Sequence, residues 1–353
     1  MTITRRLVLA LAGISAAALM TTPVFADQAA DAARTASAAE MVDTASFKKE
    51  GPLKVGVSAG YLANSWVVFA LQHMRWEASL HPEVQDLIVT DASFNPAKQV
   101  SDIEDLLRQD IDLLIYWPVD DASVEDVLKR AVEAGVPTVQ AGGGFSVSEG
   151  TVANAYISQY KLGEMVARQL MEDIGGKGKI VAMLPIAGTT AAVEQLDALE
   201  AVLAEFPEVE LLSVEYGDWN RAKAKQITEN LLQRFPSITG VYSPAGQMSL
   251  GMAEAFDEAG RSAEVTFSPG DEYNGWLKWV AANGQGGAVT FPTRAGQVAL
   301  QVGLEILKGN PVPRGTAVPS EYVASADIGS LVSPDAPDDW WASDLPDAFL
   351  PQQ

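Results

Sequence analysis

From Leu53 onward, short apolar runs alternate with longer amphipathic stretches. The runs are Leu53–Ser58, Asp86–Thr90, Asp112–Tyr116, Pro137–Ala141, Lys179–Leu184, Glu210–Tyr216, Ile238–Ser243, Glu264–Ser268 and Gly287–Phe291. Their length suits strands buried on both faces. The stretches between them carry helical spacing. Ala192, Leu196, Leu199, Leu203 and Phe206 step by four, three, four and three, which puts all five on one face. Val100, Ile103 and Leu107 do the same one helix earlier. Gly135-Val136-Pro137 and Gly175-Gly176-Lys177-Gly178 punctuate the junctions between helix and strand. Strand and helix alternating so regularly predict an α/β fold of parallel sheets with helices on both faces. Nine such units exceed one simple sheet, so the pattern predicts two doubly wound lobes, with a break near Ile157–Gln159. In open parallel sheets the ligand lies beyond the carboxyl ends of the strands, so those positions are the first place to look for a site.

Those positions are rich in aromatics, amides and carboxylates and poor in cations. Tyr61, Asn64 and Trp66 follow the first run, Trp117 the third, and Gly142 and Gly143 the fourth. In the second half Trp219, Gln247 and Asp271 hold equivalent places. Aromatic faces stack on the C–H face of a sugar ring, and amides and carboxylates pair with its hydroxyls. Each position also has a plain structural reading. Trp66, at a helix start, serves either core or cleft. Asp271 either caps the next helix or meets ligand. The glycines form either a loop or a gap.

Residues 1–26 have a different character. Arg5 and Arg6 precede an uncharged apolar stretch from Leu7 to Met20, and Val24-Phe25-Ala26 offers small residues at the cleavage positions. This is the layout of a secretory signal peptide cut after Ala26, too short for a comfortable membrane span. Arg5-Arg6 leaves the export route open. The chain has no cysteine, which excludes disulfides, thiolate metal sites and a lipid-bearing cysteine. A free secreted form points to a Gram-negative periplasm. Removing Arg5 and Arg6 takes the formal charge from −22 to −24, a surface that repels nucleic acid and anionic lipid. Residues 27–50, rich in alanine, read as a linker with at most a loose helix.

An enzyme finds little support. The two histidines, His73 and His81, lie in and just after a predicted helix, away from the strand ends. Carboxylates stand at Asp120, Asp218 and Asp271, yet no spacing singles out a catalytic pair. Gly175-Gly176-Lys177-Gly178 precedes a strand, where a phosphate loop would follow one. Neither a cofactor nor a metal is expected.

Several motifs in combination resemble the ribose/galactose type of periplasmic solute-binding protein from about Leu53 to Leu331. They are Asn95-Pro96-Ala97-Lys98-Gln99, Pro118-Val119-Asp120, Ala134-Gly135-Val136-Pro137, Ile186-Ala187-Gly188-Thr189-Thr190, Met248-Ser249-Leu250-Gly251 and Pro292 with Gly296. The resemblance implies two lobes joined by three hinge strands, near Tyr156–Gln159, Thr290–Pro292 and Tyr322–Ile328. Lobe 1 would comprise 51–157 and 291–325, and lobe 2 would comprise 158–290 and 326–353 with the tail. Asn64, Trp66, Trp219 and Asp271 match ligand-binding positions of that family, and Thr290 matches a hinge position there. Departures are equally informative. Gly142-Gly143 replaces an Asp-Arg pair that grips sugar hydroxyls, Gln195 replaces an arginine, and Ala245-Gly246 replaces an Asn-Asp. The expected site has lost charged grips and gained space, which favours a larger, less polar or glycosylated ligand. The resemblance further implies a monomer that delivers its ligand to the permease of an ABC importer, or alternatively presents it to a sensor kinase or chemoreceptor. The tail from Ser333, with Trp340-Trp341, either straps one lobe or extends a docking face, and strapping is the plainer expectation.

Overall fold

The computed structural model describes residues 23–351, so the signal segment up to Thr22 lies outside the described residues. Its first element corrects the linker expected over 27–50. Helix α1 (Pro23–Ala38) leads into strand β1 (Met41–Val42) and a 3-10 turn, Ala45–Phe47. Alanine gives a weak amphipathic signal, and the partners of this segment lie far away in sequence. Ala38 is buried against Phe145 and Tyr156, and Arg34 meets Glu194 at 3.3 Å.

Strands β2 (Leu53–Ala59), β3 (Val84–Asp91), β4 (Leu113–Trp117), β5 (Thr138–Ala141) and β6 (Ala153–Tyr156) belong to the first lobe. Helices α2 (Ser65–Ser79), α3 (Pro96–Leu107) and α4 (Asp121–Glu133) link the first four of them. The chain then builds the second lobe from α5 (Gln159–Asp173), β7 (Lys177–Leu184), α6 (Thr190–Leu203), β8 (Glu208–Tyr216), α7 (Arg221–Arg234), β9 (Gly240–Tyr242), α8 (Gly246–Glu258), β10 (Thr266–Phe267), α9 (Asn274–Asn283) and β11 (Ala288–Val289). It returns through α10 (Ala295–Leu307), β12 (Val312–Pro313) and β13 (Gly315–Ala317), and crosses again to β14 (Tyr322–Val323). All nine apolar runs hold a strand. The pattern missed β6, whose Ala-Asn-Ala-Tyr carries no apolar run and is a strand only because β5 and β13 flank it.

The first sheet is parallel in the order β13-β6-β5-β4-β2-β3, and the second is parallel in the order β10-β9-β7-β8. Beside the second sheet, β11 bridges Gly270 and pairs antiparallel with β14. Strand order reverses at β2 in one lobe and at β7 in the other, so each lobe has its own switch point. Among the described residues, six helices start with one device. The side chains of Asn64, Asn95, Asp120, Ser158, Thr189 and Asn220 each accept a first-turn N–H. On α6, Ala192 and Leu199 are buried as the spacing predicts, while Leu196 and Leu203 are half-buried.

Among the described residues, three crossings run side by side through the hinge, and the third lies between the other two. Val318 N–H donates to the Tyr156 carbonyl at 2.8 Å, which ties the third crossing to the first. Thr290 N–H donates to the Glu321 carbonyl, and the Glu321 N–H donates to Thr290 Oγ1, both at 2.8 Å, tying the third to the second. Since β14 already pairs with β11, the third crossing falls at 318–321, ahead of the expected Tyr322–Ile328.

Candidate functional site

Each lobe brings its strand ends together at its own switch point, and the two sets of residues are unlike. In the first lobe, the Tyr61 and Phe94 rings stack at 4.4 Å with planes 2° apart, and Phe94 is 52% exposed. Asn64 spends its Oδ1 on the Trp66 N–H at 2.9 Å, as the cap of α2. Trp66 is buried, and its indole N–H donates to the Phe291 carbonyl in the hinge at 2.7 Å. Trp117 ends β4, and its buried indole N–H has no hydrogen-bond partner among the described residues.

Gly142 corrects an expectation. It lies at φ +67°, and a Cβ on it would overlap the edge of the Trp66 ring and come within 3.3 Å of the Trp117 nitrogen. The room gained by losing a side chain is filled by an indole and is not left for ligand. Gly143 beside it faces open space. Trp66, Trp117 and Gly142 therefore form one corner.

The second lobe's set is built around a carboxylate. Asp271 is 9% exposed, and its Oδ1 accepts the N–H of Gly246 at 2.9 Å and that of Tyr273 at 3.3 Å. One oxygen thus ties the start of α8 to the approach of α9. Asp271 is not itself the N-cap of either helix: those positions are Ala245 and Tyr273, and neither has a side-chain cap. Gln247, next to Gly246, is half-buried. Trp219 is half-buried with φ 49° and packs against the core, and the exposed Asp218 before it pairs with Lys223 at 2.5 Å.

One expected residue sits elsewhere. The Gln195 side chain is buried between α5 and α6, where its amide donates to Gln159 Oε1 at 2.9 Å and its own Oε1 is unpaired among the described residues. Thr290, expected at the hinge, gives its hydroxyl oxygen to the Glu321 N–H there and lines a cavity beneath the C-terminal tail. The sequence reading passed over Ser243, whose buried hydroxyl at the end of β9 is also unpaired among the described residues. Its only sequence signal was its place at a strand end.

Burial raises the Asp271 pKa to about 7 against the two N–H groups that lower it. Burial likewise raises Glu272 to about 8. There the Phe291 N–H pulls down and the charge of Asp271 pushes up. Near neutral pH Glu272 is mostly a neutral acid, and Asp271 is close to half protonated. Such groups both donate to and accept from hydroxyls. Among the described residues, no group of three or more histidines and carboxylates is disposed to hold a metal.

Two cavities flank the hinge. One, of about 370 Å³, is enclosed by α1, Phe145, Tyr156 and Glu194. The other, of about 780 Å³, lies between Thr290–Arg294 and the tail.

The comparisons with known proteins agree with this geometry. The ribose import binding protein of Bacillus subtilis is 28% identical over 219 residues, spanning 62% of this chain and 69% of its own length. An ABC transporter solute-binding protein from Mycobacterium smegmatis, solved with bound glycerol, superposes with a TM-score of 0.73 at 25% identity, over 83% of this chain and 100% of the other. The fructose-binding periplasmic domain of a hybrid two-component system superposes with a TM-score of 0.72 at 24% identity, over 78% of this chain and 92% of the other. Residues 55–311 match the family model described as a periplasmic binding protein domain, and the chain belongs to that family.

Proposed function

We propose that this protein is the periplasmic substrate-binding component of an ABC importer, and that it clasps a small hydroxylated ligand, a sugar or polyol, between its lobes. The observation that supports this reading is that one lobe's strand ends carry aromatics and the other's carry the buried carboxylate of Asp271, in a chain of the periplasmic binding protein family. Unpaired buried polar atoms on Trp117 and Ser243 add to it, because each costs about 1–3 kcal/mol until a partner arrives. The ribose and glycerol named for two relatives belong to the same ligand class. The chain would act as a monomer in the periplasm after cleavage behind Ala26, with the outer faces of both lobes free for the permease. Closure of the lobes would expel water and pair the polar groups. This is binding without catalysis.

The test is a thermal-shift screen of the chain from Asp27 onward against sugars, polyols, glycosides, nucleosides and small amines. A ligand specific to the folded state adds about 2.7 kcal/mol of stability at a hundredfold excess over its Kd. A hit among sugars or polyols supports the reading, and hits confined to amines or nucleosides overturn the ligand class. A sensing role is the second reading, favoured by the two-component neighbour. Ligand-dependent binding to a permease pair in detergent separates the two.

A further inference from the structure

The tail beyond Ser333 lies outside the matched body, which ends at 311, and it touches both lobes. Its lobe-2 end is held firmly. Asn274, 1% exposed at the start of α9, donates its amide to the carbonyls of Ser333, Ala336 and Pro337 at 2.9, 3.3 and 3.0 Å. Its Oδ1 accepts the Ser333 N–H, its own N–H donates to the Trp340 carbonyl, and Arg221 pairs with Asp338 at 2.8 Å. Trp341 bridges Tyr273 just ahead of α9 on lobe 2, and from Trp340 onward the side chains reach lobe 1. There Trp340 meets Phe69 edge-on, with centroids 4.9 Å apart, and Ser343 Oγ lies 3.0 Å from His73 Nε2 on α2. A 3-10 turn, Asp347–Phe349, also packs on α2. This corrects the expectation of a strap on a single lobe.

The two attachments differ in kind. The lobe-2 end is a buried hub of hydrogen bonds to one asparagine, whereas the lobe-1 end is held by side-chain contacts: the Trp340–Phe69 pair, His73 against Ser343 and Asp344, buried Leu345 and one short turn. A rotation of the lobes changes the distance between α2 and α9, so the lobe-1 end is the one that must slide or release. We propose that the tail is an inter-lobe latch, fixed at Asn274 and releasable at Trp340–Ser343, which holds the lobes at the angle seen in the structure. The role assigned to the cleft rests on the binding-protein reading; the latch itself is a mechanical property of the unliganded chain. Losing one aromatic pair and one hydrogen bond is enough to change the ratio of two lobe arrangements by about tenfold.

The absence of cysteine makes a direct measurement simple. Ala63 and Ala187 are exposed on the loops after β2 and β7, one on each lobe. Ala63→Cys with Ala187→Cys accepts a spin-label pair, whose distance distribution is recorded without ligand. The latch predicts one narrow distribution in the otherwise intact chain. It predicts a broadened or displaced one when Trp340→Ala and Ser343→Ala are added, and a further broadening when the chain ends at Val332. Coinciding distributions overturn the proposal, and so does a lowered Tm with unchanged distances, which is the mark of a tail that only stiffens lobe 2. Trp340→Leu keeps an apolar cover and replaces the alanine variant if that variant does not fold. No sugar enters this measurement, so a failed ligand screen and a failed latch are separate results.

Discussion

The walls of the cleft solve the same problem by different means. The first-lobe wall is shaped by packing: Trp66 fills the place of a missing side chain at Gly142, and its N–H is tied to the hinge. The second-lobe wall is shaped by hydrogen bonding, with Asp271 binding two helix approaches through one oxygen. On the proposed reading the first wall would set shape and contribute little charge, while the second would supply polar recognition and depend on protonation. A ligand would be sorted by fit on one side and by hydroxyl pattern on the other.

The largest break in this contrast comes from Asp271→Ala. It leaves the N–H groups of Gly246 and Tyr273 without their acceptor, at about 1–3 kcal/mol each, and lowers ligand affinity by about a hundredfold. Urea denaturation and calorimetric titration read the two effects. Gly142→Ala is the matching blow to the first wall. Overlap with Trp66 and a left-handed backbone together cost about 2–3 kcal/mol, seen as a lower denaturation midpoint and altered tryptophan fluorescence. If this variant proves neutral, the packed corner is not what shapes that wall.

Protonation sharpens the comparison next. Glu272 titrates near 8 in the fold and near 4.5 when unfolded, so the fold holds more protons and loses stability as pH rises through 8. Asp271 adds to the loss up to about pH 7. His73 acts oppositely, because burial lowers it to about 4, and stability falls as pH drops from about 6.5 toward 4. The clean window is pH 6.5–8, where stability should fall by about 1–2 kcal/mol and Glu272→Gln should flatten most of the slope. Denaturation midpoints across that range decide it. The smallest effect belongs to Trp219→Ala: affinity about tenfold weaker, through lost stacking worth about 0.5–1.5 kcal/mol, with stability changed by less than about 1 kcal/mol. A large loss of stability there would mark Trp219 as core and remove it from the cleft.

The strand ends were legible because apolar runs and helical spacing are local properties, and they located Trp66, Trp117, Trp219 and Asp271 at or just after strands. Their roles were less legible. Polar residues after strands are wanted both by ligands and by helix N-termini, and Asn64 shows the second use taking precedence over the first. Gly142 read as a gap because the ring that fills it lies 76 positions earlier in the chain. Thr290 and Gln195 were placed by resemblance, and their partners, Glu321 and Gln159, are visible only once hinge and helices are assembled.

The sequence by itself determined the alternation of strands and helices, and hence parallel sheets. Those features follow from periodicity within windows of ten to twenty residues. The tertiary structure alone decided that residues 27–50 form a helix and strand, that the tail reaches both lobes, and that two adjacent carboxyls are pushed toward neutral pH. Each of these depends on burial against residues distant in sequence, and burial is a property of the assembled fold.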